Sequence, residues 1–217
     1  MRKVIFSMKN AYYYEQPINK YGLQLIYASE KGDTDTVKSL LAKDVYIHAQ
    51  NKDGKCALVA AAYKNQLEII DLLIAAGADV NMKDNTLQSA YLISTSEGYV
   101  ELLSKTLAAG ADIHSTDSYN GTGLIRAADR GHVDVVKILL KTGIRVNHIN
   151  KIGWTALLEA ILLGGGGTRH TEIVRMLVDA GADINLPDKN GVTPLAHAKN
   201  NNFTSIIKIL ENVKIKK

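Results

Sequence analysis

A chain of 217 residues, 46% hydrophobic and 22% charged, carries enough apolar material to fold and no excess of charge that would keep it disordered. Its 22 acidic residues lie among 26 basic ones, for a formal net charge of +4, so no long single-sign field is expected and nucleic-acid binding is not signalled. The single cysteine, Cys56, excludes an internal disulfide and a thiolate metal site, which fits a reducing compartment.

At the N-terminus, "MRKVIFSMKNAYYYEQ" opens with two cations, but Ser7, Lys9 and Asn10 break its apolar run below the length of a secretory core. No later stretch approaches a membrane span. The expected location is cytoplasmic, with export the alternative if a leader was removed before Met1. Residues 1–22 read as an extension or cap. In it, Tyr12 to Tyr14 could lay their rings over the first helices or serve as a docking peptide.

From Leu23 a phrase begins that the rest of the chain repeats. "LQLIYASEKGDTDTVKSLLAKDVYIH" is a divergent capping copy, about residues 23–50. Repeats follow at about 51–83, 84–116, 117–149, 150–187 and 188–211, with a basic tail over 212–217. "AAGADVN", "AAGADIH", "KTGIRVN" and "DAGADIN" are four versions of one phrase, with glycines at 77, 110, 143 and 181 in steps of 33, 33 and 38.

Within each period the chemistry repeats as well. A turn glycine (Gly54, Gly153 or Gly191) supplies positive φ, although repeat two puts Leu87 in that place. Thr122, Thr155 and Thr193 stand where a helix cap belongs, and Pro194 suits a first helical position. The first helix is rich in alanine (Ala60 to Ala62, Ala127, Ala128). The second carries large apolar residues at i, i+3, i+4, such as Ile69, Leu72, Leu73 and Val135, Ile138, Leu139. Gly77, Gly110, Gly143 and Gly181 are expected at C′, just past that helix.

The last step is one period plus five residues, and the excess lies in "LLGGGGTRH", between Gly164 and His170. The glycines suggest a phosphate cradle, with Thr168, Arg169 and His170 as anion ligands at a helix start. A phosphate loop wants a strand before it and Lys followed by Ser or Thr after it. Here a helical "TALLEAILL" precedes, so a tolerated flexible turn is the expected reading.

"GVTPLAHA" and "GHVDVVKILLKTG" are close to signature phrases of the ankyrin-repeat family, and the chain resembles that family over about nine tenths of its length, from Leu23 to Glu211. The resemblance implies an all-α solenoid of stacked helix-turn-helix units with β-turn or hairpin tips. One pair cannot bury its apolar faces alone, so stacking supplies the core and the end units need polar outer faces, to which Lys208, Lys214, Lys216 and Lys217 would contribute. It further implies a non-enzymatic module, without cofactor, that holds another protein on a concave wall of turn tips and first-helix ends. A stand-alone adaptor, inhibitor or protective partner, bacterial in style and monomeric, is the expected role.

On that wall, the positions that vary while the frame stays fixed are free to carry specificity. They include Lys52, Asp53, Lys55, Tyr63, Lys64, Asn85 and Gln88, then Ser118, Tyr119, Arg130, Lys151, Ile152, Trp154, Lys189 and Asn190. Trp154, the only tryptophan, and Tyr119, Tyr63 and Arg130 are the expected anchors, since aromatics and Arg dominate hot spots. Trp154 could instead fold back over its own hairpin, and the glycine loop could shield Leu162 and Leu163.

Two other classes stay open. The Gly164 to His170 loop could serve a small anionic ligand or an enzyme. Lys52, Lys55, Lys64, Arg130, Lys151 and Lys189 could line a nucleic-acid surface, although Asp53, Glu97 and Asp129 interleave with them. No metal site is expected: no His pair has the i, i+4 spacing of a zinc helix, and only His114 and His148 fall in adjacent hairpins. Cys56 stands in the threonine cap position, where a small, half-buried side chain is the expectation, less enclosed than a core residue.

Overall fold

The structure, a computed structural model, describes residues 17–43 and 45–213. The Tyr12 to Tyr14 segment, Lys214, Lys216 and Lys217 lie outside the described residues. Twelve helices form among these residues: α1 (Pro17–Lys31), α2 (Thr34–Leu41), α3 (Ala57–Tyr63), α4 (Leu67–Ala75), α5 (Ala90–Glu97), α6 (Val100–Ala108), α7 (Gly123–Asp129), α8 (Val133–Leu139), α9 (Ala156–Leu163), α10 (Thr168–Asp179), α11 (Pro194–Asn200) and α12 (Thr204–Glu211). No strand forms among them; one isolated antiparallel bridge links Thr116 to Thr122. The chain is an all-α array of helix pairs joined by hairpin-like turns, as the resemblance implies.

Two units can be told apart, one from α1 to Ile93 together with Ser104–Ala111, the other Ser94–Leu103 together with the described residues from Asp112 onward. In the first unit α1 packs on α2 and α3, and α4 packs on α2 and α3. Helix α3 has every residue from Ala57 to Ala62 buried, with alanines accompanying Leu58 and Val59. Alanine also has the highest helix propensity, which supports a helix only seven residues long. The larger cores come from Leu25 and Ile26 on α1, Val37 and Leu40 on α2, and Ile69, Ile70 and Leu73 on α4. Each such residue contributes about 1.5–3 kcal/mol when fully buried.

In the second unit α9 packs on α7, α10 and α11, while α10 also meets α8 and α12. Ala127 and Ala128 of α7 and Ala160 of α9 again line the close approaches. Val135, Val136 and Leu139 of α8, and Ile173, Val174 and Leu177 of α10, fill the layer behind.

Turns and caps follow the same chemistry in every repeat. Asn51, Asp84, Asp117, Asn150 and Asp188 each accept, through one side-chain oxygen, N–H bonds from the residues two and four positions on. That bend places the next-but-two residue at positive φ: Gly54 at 75°, Gly153 at 91° and Gly191 at 77°, but also Leu87 at 61° and Asn120 at 57°. Thr122, Thr155 and Thr193 cap α7, α9 and α11 through their hydroxyl oxygens. Ser89 accepts from Leu92 N–H in the same place, whereas Cys56 makes no side-chain cap and is buried rather than half-buried.

The expected helix ends need one correction. Gly77, Gly110 and Gly181 follow α4, α6 and α10 at positive φ, and the residue after each donates its N–H five residues back. Gly143 does not stand at C′, because α8 stops at Leu139 with Leu140 as its cap. There the Leu139 carbonyl accepts both the Thr142 N–H and the Thr142 hydroxyl, at 3.0 and 2.7 Å, in a tight turn beyond the helix end.

The five inserted residues are only partly loop. Gly164 caps α9, Gly165 and Gly166 turn the chain at φ 57° and 70°, and Gly167 is the N-cap of α10. Thr168 and Arg169 therefore belong to the helix, which runs twelve residues. Rather than hanging free, the turn is packed: a Cβ on Gly166 would lie 2.5 Å from Phe203 Cδ1, and Thr171 donates its hydroxyl to Gly166 O.

Candidate partner-binding surface

In the first unit the varying positions are largely committed to one another. Asn85 donates to Asp53 O from its backbone and to Lys52 O from its side chain. The Lys55 ammonium lies 4.7 Å from the centre of the Tyr63 ring. Tyr63, expected as an anchor, is half-buried and donates its hydroxyl to Asp84 at 2.7 Å. Burial of Asp84 favours its neutral form, but bonds from Thr86, Gln88 N–H and Tyr63 outweigh it and hold the carboxyl below its ordinary value. Lys64 and Asn85 are exposed and Gln88 is half-buried.

The second unit presents more apolar surface. Tyr119 is 60% exposed at its tip, Ile152 46% on the adjoining tip, and Leu163 52% at the end of α9. Lys151 N–H donates to Tyr119 O at 2.8 Å, which sets the two tips side by side. Trp154 is half-buried, and its backbone N–H is held by Asn150 Oδ1. Leu162 is half-buried, and the glycine turn leaves Leu163 uncovered.

Charged side chains lie on the same tips and at the first-helix ends. Arg130 donates to Glu97 and to Ser96 O, at 3.0 and 3.1 Å. Lys151 Nζ donates to Ser118 O at 2.6 Å, and Lys189 Nζ donates to Lys151 O. Ser118 and Asn190 are exposed beside them.

Beneath the tips lies a set of pairs that the sequence reading missed. In the last three turns the opening residue uses its second side-chain atom to meet the residue nine places on, in the first helix. Arg126 donates to Asp117, Asn150 donates to Glu159 at 2.7 Å, and His197 meets Asp188 at 2.9 Å. An acid faces a base in two of them, and an amide faces an acid in the third. The signal was present as Asp and Arg, Asn and Glu, Asp and His changing together at constant spacing.

Glu159 is only 6% exposed. Burial, then the nearby Asp129 charge, raise its carboxyl from 4.5 to about 7 against the Asn150 bond.

The remaining candidates are not gathered into a reactive centre. Thr168 and Arg169 are exposed on the first turn of α10, while His170 turns away to donate to Asp129 O at 2.9 Å. His132 and His148 meet backbone carbonyls of Ser96 and Asn120, and His48 accepts from Asp79 N–H. Burial pushes the Cys56 thiol up, away from thiolate chemistry. Among the described residues no group of three or more His, Cys, Asp or Glu side chains comes together as a metal site, and no helix is long and apolar enough to cross a membrane.

Helix pairs recurring in a constant frame define a tandem-repeat protein. The sequence profile "Ankyrin repeats (3 copies)" matches residues 19–84 and 91–188. The chain belongs to the ankyrin-repeat family, whose members are generally protein–protein interaction modules. A putative ankyrin repeat protein of Escherichia coli (strain K12), YahD, is 46% identical over 59 residues, which span 27% of this chain and 29% of that one. The crystal structure of an ankyrin repeat domain from Acinetobacter baumannii AYE superposes with a TM-score of 0.85 at 45% identity, covering 87% of this chain and 96% of that one. The ankyrin repeat protein EF0377 gives a TM-score of 0.84 at 34% identity, covering 88% and 97%.

Proposed function

We propose that this chain is a non-enzymatic binding protein that recognises another protein through its turn tips and first-helix ends, with the second unit supplying the anchors. The observation that carries this reading is the pair of open apolar side chains Tyr119 and Ile152 on adjoining tips, with half-open Trp154 on the second tip and Lys151 and Lys189 alongside. An apolar centre inside a polar rim is the anatomy of a binding hot spot. Tyr119 and Trp154 are the anchors; Tyr63, tied to Asp84 and Lys55, holds its own turn in shape. The module acts as an adaptor, inhibitor or protective partner, as a monomer in the bacterial cytoplasm; the kinship with Escherichia coli and Acinetobacter proteins supports the bacterial setting.

The test is capture of partners from the native cell with wild-type protein and with Trp154→Ala and Tyr119→Ala variants. Loss of the same partner from both variants is the expected result. Retention of every wild-type partner by both variants would show that the binding surface lies elsewhere.

A further inference from the structure

Resting on the protein-binding reading, and deepening it, is a difference in how the cations of the second unit are balanced. Arg126 meets Asp117, Arg130 meets Glu97, His197 meets Asp188, and Lys199 meets Glu211. Lys137, Lys141 and Arg175 stand outside these pairs, and so do Lys151 and Lys189, which differ in being held in place. Both are exposed, and among the described residues neither forms an ion pair; each ammonium is steered by a backbone carbonyl of the preceding tip. A carbonyl fixes the position of an ammonium without cancelling its charge, and an ammonium has three donors. Two tethered positive charges on neighbouring tips thus flank the open side chain of Ile152, beside Tyr119.

We infer that the tips of repeats three to five receive an acidic, apolar protein segment, whose large apolar side chain seats on Ile152 and Tyr119 while carboxylates on either side meet Lys151 and Lys189. The fixed ammoniums favour such a partner because little side-chain freedom remains to be lost on pairing. A basic segment would meet like charge on both sides of the apolar seat. A nucleic acid would find the two lysines and the Tyr119 ring, but the neighbouring aliphatic Ile152 offers its bases no second stacking surface.

The test uses a displayed library of random twelve-residue peptides selected on the full chain, followed by affinity measurements on Lys151→Glu/Lys189→Glu and Lys151→Gln/Lys189→Gln variants. The melting temperature of each variant establishes its folding. Selected peptides are expected to carry Asp or Glu on both sides of a large apolar residue. They should bind the Gln variant about tenfold more weakly and the Glu variant more weakly still. Peptides with Lys replacing each acid should recover binding on the Glu variant. Enrichment of basic or uncharged peptides, indifference to the lysine substitutions, or no enrichment at all overturns the acidic partner, as does a thymidine oligonucleotide that binds more tightly than the selected peptides. If peptides bind with the acidic signature and weaken on Tyr119→Ala but ignore Trp154→Ala, the acidic partner stands and the assignment of Trp154 as an anchor falls; indifference to Tyr119→Ala overturns the seat.

Discussion

At Glu159 a carboxyl is buried in a helix, hydrogen-bonded to Asn150 and near the Asp129 charge. Its folded value of about 7 lies above the ordinary 4.5. Between these values the unfolded chain releases a proton that the folded chain keeps, so stability falls as pH rises through this window and levels off above it. A shift of this size corresponds to a loss of about 3 kcal/mol at most. Glu159→Gln keeps an oxygen for Asn150 and removes the titration. Relative to wild type it should gain stability progressively from about pH 5 to pH 8, as followed by urea denaturation; a difference that does not change with pH would remove Glu159 as the titrating group.

Cys56 is the second residue with a measurable consequence. It occupies the position at which Thr122, Thr155 and Thr193 cap their helices, and like Thr122 and Thr155 it is buried. Cys56→Thr should restore the missing cap of α3, adding about 1 kcal/mol and raising the melting temperature by about 2–4 °C. Thermal unfolding monitored by circular dichroism checks this.

Among the elements, the turns and helix ends show how far the amino-acid pattern carries. Turn glycines, threonine caps and the Gly77, Gly110 and Gly181 helix stops were legible because each residue type answers a local backbone need that recurs in the chain. The early end of α8 was not, because Thr142, rather than a glycine, meets the last carbonyl. Nor was the extension of α10 through Thr168, since an insertion shows where length is added and not whether the added residues continue a helix. The pairing of Glu159 with Asn150 escaped because it needs the angle at which a turn meets its helix. Leu87 was marked by its place in the pattern, and the structure supplies the reason to change it. Positive φ costs an L-residue about 1–2 kcal/mol, of which glycine's extra chain freedom takes back about 0.5–1. Leu87 is exposed, so Leu87→Gly should stabilise by up to about 1 kcal/mol in equilibrium unfolding. Deleting residues 165–169 joins Gly164 to His170 as Gly131 joins His132, so circular dichroism should show the helical fold intact and captured partners should be unchanged.

For the molecule as a whole, the proposed anchors are not the residues that build its core. In a repeat array stability is approximately a sum over repeats and their nearest-neighbour contacts, and here the buried layers of Ala, Leu, Ile and Val supply those terms. Exposed Tyr119 and half-buried Trp154 lie at the tips and not in these layers. The double variant Trp154→Ala/Tyr119→Ala should therefore melt within about 2 °C of wild type, as most surface changes do, while losing its partner. A large drop in melting temperature would instead assign Trp154 to the packing of its own hairpin.

The pairs nine residues apart also constrain how such arrays are rearranged. A crossover between a turn and its helix that brought Asp117 against Glu159 would seat two carboxylates in one confined space, whereas a crossover carrying turn and helix together keeps each couple whole. Duplication, shuffling or deliberate grafting within this lineage should therefore tolerate junctions before the turn far better than junctions after it, and the smallest unit that can be moved safely is longer than the helix pair.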